Sequence, residues 1–150
     1  MGRYKTIAGV AVILALAGCE TPTPTASVQT AAPQAIRVSD KASPGSQVIT
    51  AARAAQVFGD LCVRNLPNFA GIESDAAQNG FVWNSTFGTY YHPTENLSVK
   101  LVDGTCSMVF QSSADLPALQ GSIGALSSRA TISARSFANQ KIYNARLSAG

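Results

Sequence analysis

The chain has few of the side chains that usually perform enzyme chemistry. His92 is the only histidine among its 150 residues. It lies three positions before Glu95, and the two could share a metal ion, but a site of this kind needs further ligands. None has a recognisable spacing, and Pro93 keeps the pair off a common helix face. The sequence therefore predicts a polar loop here and no metal site.

Motifs that hold phosphates or activate a nucleophile are also missing. Neither Gly-x-x-x-x-Gly-Lys nor Gly-x-Gly-x-x-Gly occurs, and no Gly-x-Ser-x-Gly elbow is present. Cys62 with His92 could form a nucleophile pair, but a structural role for Cys62 in a disulfide, described below, is the better interpretation. No strongly basic stripe of the kind that marks nucleic-acid binding appears. We therefore expect no enzyme, no cofactor and no nucleic-acid partner.

Long apolar runs are absent as well. The longest, Ile7 to Gly18, is twelve positions long, whereas a membrane-spanning helix needs about 20 apolar residues. A signal-peptide core needs roughly 7–15. Arg3 and Lys5 precede the run, and prolines follow it closely. Residues 1–18 are therefore predicted to be a signal peptide.

The end of this run, Leu16-Ala17-Gly18-Cys19, resembles the lipobox of bacterial lipoproteins. The resemblance implies that Cys19 is acylated, with palmitate as a typical chain, and becomes the first residue of the mature protein. Glu20 follows, which in enteric lipoproteins favours the outer membrane over the inner. We therefore expect an outer-membrane lipoprotein that faces the periplasm. The alternative is a soluble secreted protein in which a cysteine lies there by chance.

The mature chain divides by composition into a tether, a domain and a tail. Residues 19–47 are rich in Thr, Ser, Ala, Gln and Pro, and few large apolar residues occur there. Such a segment cannot bury enough surface to offset its ordering entropy, so it is predicted to be disordered. Residues 48–127 form the predicted domain. Residues 128–150 carry four basic residues and no acid, and they are predicted to be a basic tail with a possible last strand.

The domain is predicted to have an α+β fold. Helical spacing of apolar residues predicts two N-terminal helices, over residues 48–64 and 68–79, and one later helix over 115–127. Asp103-Gly104 is a two-residue hairpin signal. It pairs Leu97 with Phe110 and Leu101 with Cys106, so the apolar residues share one face. We therefore expect a small antiparallel sheet centred on a 97–110 hairpin, with one helix following it.

Three cysteines occur: Cys19, Cys62 and Cys106. If Cys19 carries lipid, two remain, and they can pair in an oxidising periplasm. Cys62 lies on the apolar face of the first predicted helix and Cys106 on the apolar face of the hairpin. Both point toward the same core, so we expect a disulfide that joins helix to sheet. Two buried free thiols are the alternative.

Aromatic residues concentrate in one short segment. Trp83, Phe87, Tyr90, Tyr91 and His92 could form an exposed recognition surface, because Trp and Tyr are enriched at binding hot spots. They could equally be sheet core, which a domain this small favours. The pattern FxxxCVxNLPxFAG, followed by DGxCSMVF, resembles small uncharacterised exported proteins of alphaproteobacteria. That resemblance implies paired cysteines and transfers no functional residue.

These observations favour a lipid-anchored, non-catalytic accessory or binding protein of the cell envelope. Its expected partners are the membrane, through the anchor, and an envelope protein. One alternative is an inhibitor of envelope-attacking enzymes such as lysozymes or proteases, since a small, disulfide-linked, anchored domain suits that role. A second alternative is an enzyme that acts on cell-wall material.

Overall fold

A computed structural model describes residues 34–150 of the chain. Within this part, seven strands form one mixed sheet in the order β1-β2-β3-β4-β5-β7-β6, with three α-helices. Only the β1–β2 pair is parallel. The elements are β1 (Arg37–Val38), α1 (Ala51–Phe58), a π-helical segment (Gly59–Val63), α2 (Ile72–Gln78), β2 (Val82–Asn84), β3 (Thr89–Tyr91), β4 (Leu97–Val102), β5 (Thr105–Gln111), α3 (Leu116–Gly124), β6 (Thr131–Phe137) and β7 (Gln140–Ser148).

The β4–β5 hairpin has the predicted register. Asp103 and Gly104 both have positive φ, at 48° and 66°, as a two-residue turn between twisted strands requires. Leu97 pairs with Phe110 and Leu101 with Cys106. One face of the hairpin is consequently buried in the core beneath the helices. The Asp103-Gly104 turn and the alternating pattern of apolar residues together predicted this pairing.

The predicted architecture as a whole is wrong. The sheet is not a small one centred on residues 97–110, because β6 and β7 follow α3 and extend it by two long antiparallel strands. β6 is almost entirely exposed, and Ile132 and Ala134 are its only alternating apolar residues, which is a weak signal for a strand. Its turn to β7 also lacks a hairpin signal, since Ala138 and Asn139 adopt positive φ of 46° and 64° without any glycine.

The first helix is also shorter than the predicted span of residues 48–64. α1 begins after the cap Thr50, whose side chain accepts a hydrogen bond from the Arg53 N–H at 3.2 Å. It ends at Phe58, and the chain continues through the π-helical segment to Val63. Phe58, Leu61 and Cys62 keep the three- and four-residue spacing of an α-helix through this segment, which is why the sequence did not separate the two helix types.

Part of the segment predicted to be a disordered tether is ordered. Residues 34–47, here called the N-terminal strap, contain β1 and run beside β2 and the loop after β3. Ser39 N–H donates to the Trp83 carbonyl at 2.9 Å, and Gln47 N–H donates to that of Thr94 at 3.0 Å. A Cβ at Gly45 would overlap the Thr94 backbone. Backbone hydrogen bonds hold most of the strap, and Ile36 packs against the core, so composition gave little sign that the strap is ordered.

Asn84 fastens the strap from inside. It is buried, and its side-chain amide donates to the carbonyls of Asp40 at 3.2 Å and Ala42 at 2.8 Å. Its side-chain oxygen accepts from the Phe87 N–H at 3.0 Å. One side chain therefore joins the strap, the end of β2 and the turn that follows.

Cys62 and Cys106 form a disulfide, with their Cα atoms 5.6 Å apart. Both are fully buried. The bond joins the π-helical segment to β5, so the predicted connection between the helical layer and the sheet is confirmed.

The predictions for the N-terminal segment are not tested by the described residues. The signal peptide, the lipobox and Cys19 lie outside the described residues. Within residues 34–150, no helix has the length and apolar character needed to cross a membrane.

Candidate functional site

The structure divides the predicted aromatic surface between the two faces of the sheet. Tyr90 and Trp83 lie on the helix-covered face, with ring centroids 4.5 Å apart, and Tyr90 is buried. Tyr91 points to the opposite face, because successive residues of a strand alternate. Phe87 is 60 % exposed in the turn after β2. These four residues therefore do not form one continuous recognition surface.

Tyr90 behaves as a core residue. Burial raises the pKa of its phenol, and the nearby carboxylate of Glu73 raises that pKa further. Both effects keep the phenol neutral. The tyrosine is therefore held in its uncharged form against the core.

The His92 side chain stabilises the loop after β3. Its Nδ1 accepts a hydrogen bond from the Glu95 N–H at 3.0 Å, and its ring meets Phe81 edge-on at 5.3 Å. Burial lowers the pKa of His92, and Arg53 lowers it further, whereas Glu95 raises it. The result is a mostly buried imidazole whose Nδ1 is engaged in holding the chain.

Glu95 is committed to an ion pair. Its carboxylate oxygens accept hydrogen bonds from the Arg53 Nε and from a terminal guanidinium nitrogen, each at 2.9 Å. This bidentate geometry is the strong form of a charge-assisted hydrogen bond. Across residues 34–150, no group of three or more His, Cys, Asp or Glu side chains is placed to hold a metal ion. Glu95 therefore joins the loop after β3 to α1 through Arg53, and His92 holds the same loop through the Glu95 N–H.

The face of the sheet away from the helices is open and electropositive. Strands β4 to β7 contain no acidic residue. By strand alternation, Lys100, Arg135 and Arg146 all point to this face, which we call the open face. None of the three forms an ion pair with another described residue. Within residues 34–150, no ion pair therefore neutralises these three positive side chains.

A groove of about 430 Å³ lies on the open face. We call it the open-face groove, and its polar lining includes Ser98, Lys100, Ser107, Asn144 and Arg146, with Tyr91 at one end. Lys100 pairs with Ser107 across β4 and β5, and Ser107 pairs with Arg146 across β5 and β7. The two cations thus flank one hydroxyl in a single row across three strands.

The groove also contains hydrogen-bond donors and apolar surface. Ser107 Oγ donates to Asn144 Oδ1 at 3.0 Å, which leaves the Asn144 amide N–H groups without a partner among the described residues. Val102 and Val109 lie on either side of the charged row and are 46 % and 38 % exposed. The site can therefore bind an anionic group and cover apolar atoms at the same time.

Sequence reasoning missed this groove for one reason. The predicted hairpin pairing puts the apolar residues on one face, and by alternation Ser98, Lys100 and Ser107 then lie on the other. Arg146 joins them only through the pairing of β5 with β7, and β7 was predicted only as a possible strand in a basic tail. The alternation of Asn144 and Arg146 with apolar neighbours is what indicated that strand, but nothing in the sequence identified β5 as its partner.

Comparisons with protein-family models, with curated proteins and with solved structures gave no match. The functional argument consequently rests on the geometry of the described residues.

Proposed function

We propose that the chain is a lipid-anchored, non-catalytic binding protein of the cell envelope, held at the periplasmic side of the outer membrane by acylated Cys19. Its binding surface is the open-face groove. The observation that carries this proposal is the row of Lys100, Ser107 and Arg146, in which two cations without an ion-pair partner among residues 34–150 border a cleft that no helix of this part of the chain covers.

The groove is a better candidate than the aromatic segment. Tyr90 is buried and Trp83 is half-buried against the core, so neither presents its whole ring to a partner. Tyr91 lines the groove itself. One aromatic residue of the predicted surface therefore contributes to the binding site, alongside charged residues from β4 and β7.

The non-catalytic assignment is supported by what the reactive side chains do. His92 and Glu95 hold the loop after β3, and the two described cysteines are joined in the disulfide. The residues lining the groove include no histidine and no carboxylate. A general acid–base pair needs such groups within hydrogen-bond reach of the substrate, so the cell-wall enzyme gains no support.

The proposal is tested by crosslinking from chosen positions in living cells. A photoreactive phenylalanine analogue replaces Val109 in the groove, and in a matched variant it replaces Gln120, which is exposed on α3. We expect a specific crosslinked product from position 109 and none from position 120. Equal products from both positions, or products only from 120, would show that the groove is not the binding surface. A crosslinked lysozyme or protease would identify the inhibitor alternative.

The anchor needs a separate experiment, because it does not depend on the groove. Cys19→Ala should move the protein from the membrane fraction to the soluble periplasmic fraction. An unchanged distribution would contradict the lipoprotein assignment and would leave the crosslinking result standing.

A further inference from the structure

We infer that the open-face groove binds an amphiphile with a phosphate head group, placed between Lys100 and Arg146. This inference rests on the proposed function, since it names the ligand of the same groove. It follows from the positions of the two cations, from the donors between them and from the apolar surface on both sides.

The spacing of the cations suits a group of phosphate size. Lys100 and Arg146 lie on strands separated by β5, so about 10 Å separates their backbones at the usual strand spacing. Both side chains are long and exposed, and they can reach a common anion above Ser107. An arginine guanidinium binds two phosphate oxygens as a fork, while a lysine supplies a point charge.

Charge favours phosphate over a carboxylate. A phosphate monoester carries a charge of about −1.5 to −2 near neutral pH, which balances two cations, whereas a carboxylate balances one. Strands β4 to β7 supply no acidic side chain that would compete. The free amide N–H groups of Asn144 provide further donors for the remaining phosphate oxygens.

The valines indicate that the ligand has an apolar part. Val102 and Val109 are large apolar side chains that remain more than one-third exposed beside the charged row. Tyr91 adds an aromatic ring at the same site. A hydrocarbon chain attached to the phosphate would cover these surfaces, and burial of apolar area is favourable.

The test uses the full chain in a non-ionic detergent and measures binding by titration calorimetry at low salt. The probe is butyl phosphate, whose short chain limits its entry into micelles. Inorganic phosphate lacks the apolar part, and pentanoate replaces the phosphate with a carboxylate. We expect butyl phosphate to bind about tenfold more tightly than inorganic phosphate, as two or more buried methylenes would produce, and more tightly than pentanoate.

The matched variants separate specific contacts from net charge. Lys100→Gln with Arg146→Gln removes both groove cations, whereas Arg135→Gln with Lys141→Gln removes two positive charges outside the groove. We expect the first double variant to weaken butyl phosphate binding at least about tenfold, because two charge-assisted contacts are lost. The second double variant should change the affinity for butyl phosphate less than about threefold, because salt screens charges that lie outside the groove. Circular dichroism checks that both variants are folded.

Each outcome decides the inference. Equal binding of inorganic and butyl phosphate would overturn the apolar part, and equal binding of pentanoate would overturn the choice of phosphate. Equal losses in the two double variants would overturn the site. If no probe binds while position 109 still crosslinks to a protein, the inference of a phosphate amphiphile is wrong. The proposed binding surface is then retained, with a protein as its ligand. If neither experiment gives a signal, both proposals fail.

Discussion

Removal of the Cys62–Cys106 bond should cost this fold a large share of its stability. The bond closes a loop with a sequence separation of 44, and a cross-link of that length lowers the entropy of the unfolded chain by an amount equivalent to about 4 kcal/mol. Typical domains have a total free energy of unfolding of about 5–15 kcal/mol. The reduced protein should therefore be marginally stable or unfolded.

The measurement is urea unfolding of the full chain, oxidised and after reduction by dithiothreitol, followed by circular dichroism. Reduction isolates the cross-link, because it leaves both sulfur atoms in the core. Cys62→Ala with Cys106→Ala should be less stable than the reduced wild type, since the variant also loses buried sulfur contacts. The reasoning would be refuted if reduction changed the free energy of unfolding by less than about 1 kcal/mol at an unchanged m value.

Three further predictions concern single residues. Asn84→Ala should destabilise the fold by about 2–4 kcal/mol in urea unfolding, because it removes three hydrogen bonds at a buried position. The control is Asn68→Ala, which removes one exposed hydrogen bond and should cost less than about 1 kcal/mol. Ala138→Asn should stabilise the fold by about 0.5–1 kcal/mol, seen as a higher melting temperature, because asparagine tolerates the positive φ of 46° better than alanine; a lower melting temperature would contradict this. Burial lowers the pKa of His92 below its usual 6.5, so the unfolded chain binds more protons and stability should fall as pH drops below about 6.5. His92→Gln should flatten that dependence, and an unaltered pH profile would show that another group is responsible.

The elements that the sequence predicted well are those whose side chains alternate between core and solvent. β4 and β5 bury one face and expose the other, and their turn contains the Asp103-Gly104 pair. Both signals are local, and they agree with each other. The disulfide followed from them, because the hairpin pattern fixed the direction in which Cys106 points.

The elements that were missed are held by interactions that composition does not record. β1 is two exposed residues that are fixed by hydrogen bonds to β2, and β6 is an exposed edge strand with a turn at Ala138-Asn139. Without β7 in the sheet, Arg146 could not be placed beside Lys100. The candidate site depends on this long-range pairing, which is why its residues were not identified from the sequence.

The strand order also determines how far the groove stands from the point where the chain enters the fold. β1 and β6 form opposite edges of the sheet, six strand spacings or about 29 Å apart. If Cys19 is acylated as proposed, the chain that leads from the anchor enters the sheet at its β1 edge. The open-face groove, centred on β5, is four spacings or about 19 Å from that edge. An insertion before Gln34 would change how far the whole domain can extend from the anchor. It would leave the distance between the groove and the β1 edge unchanged.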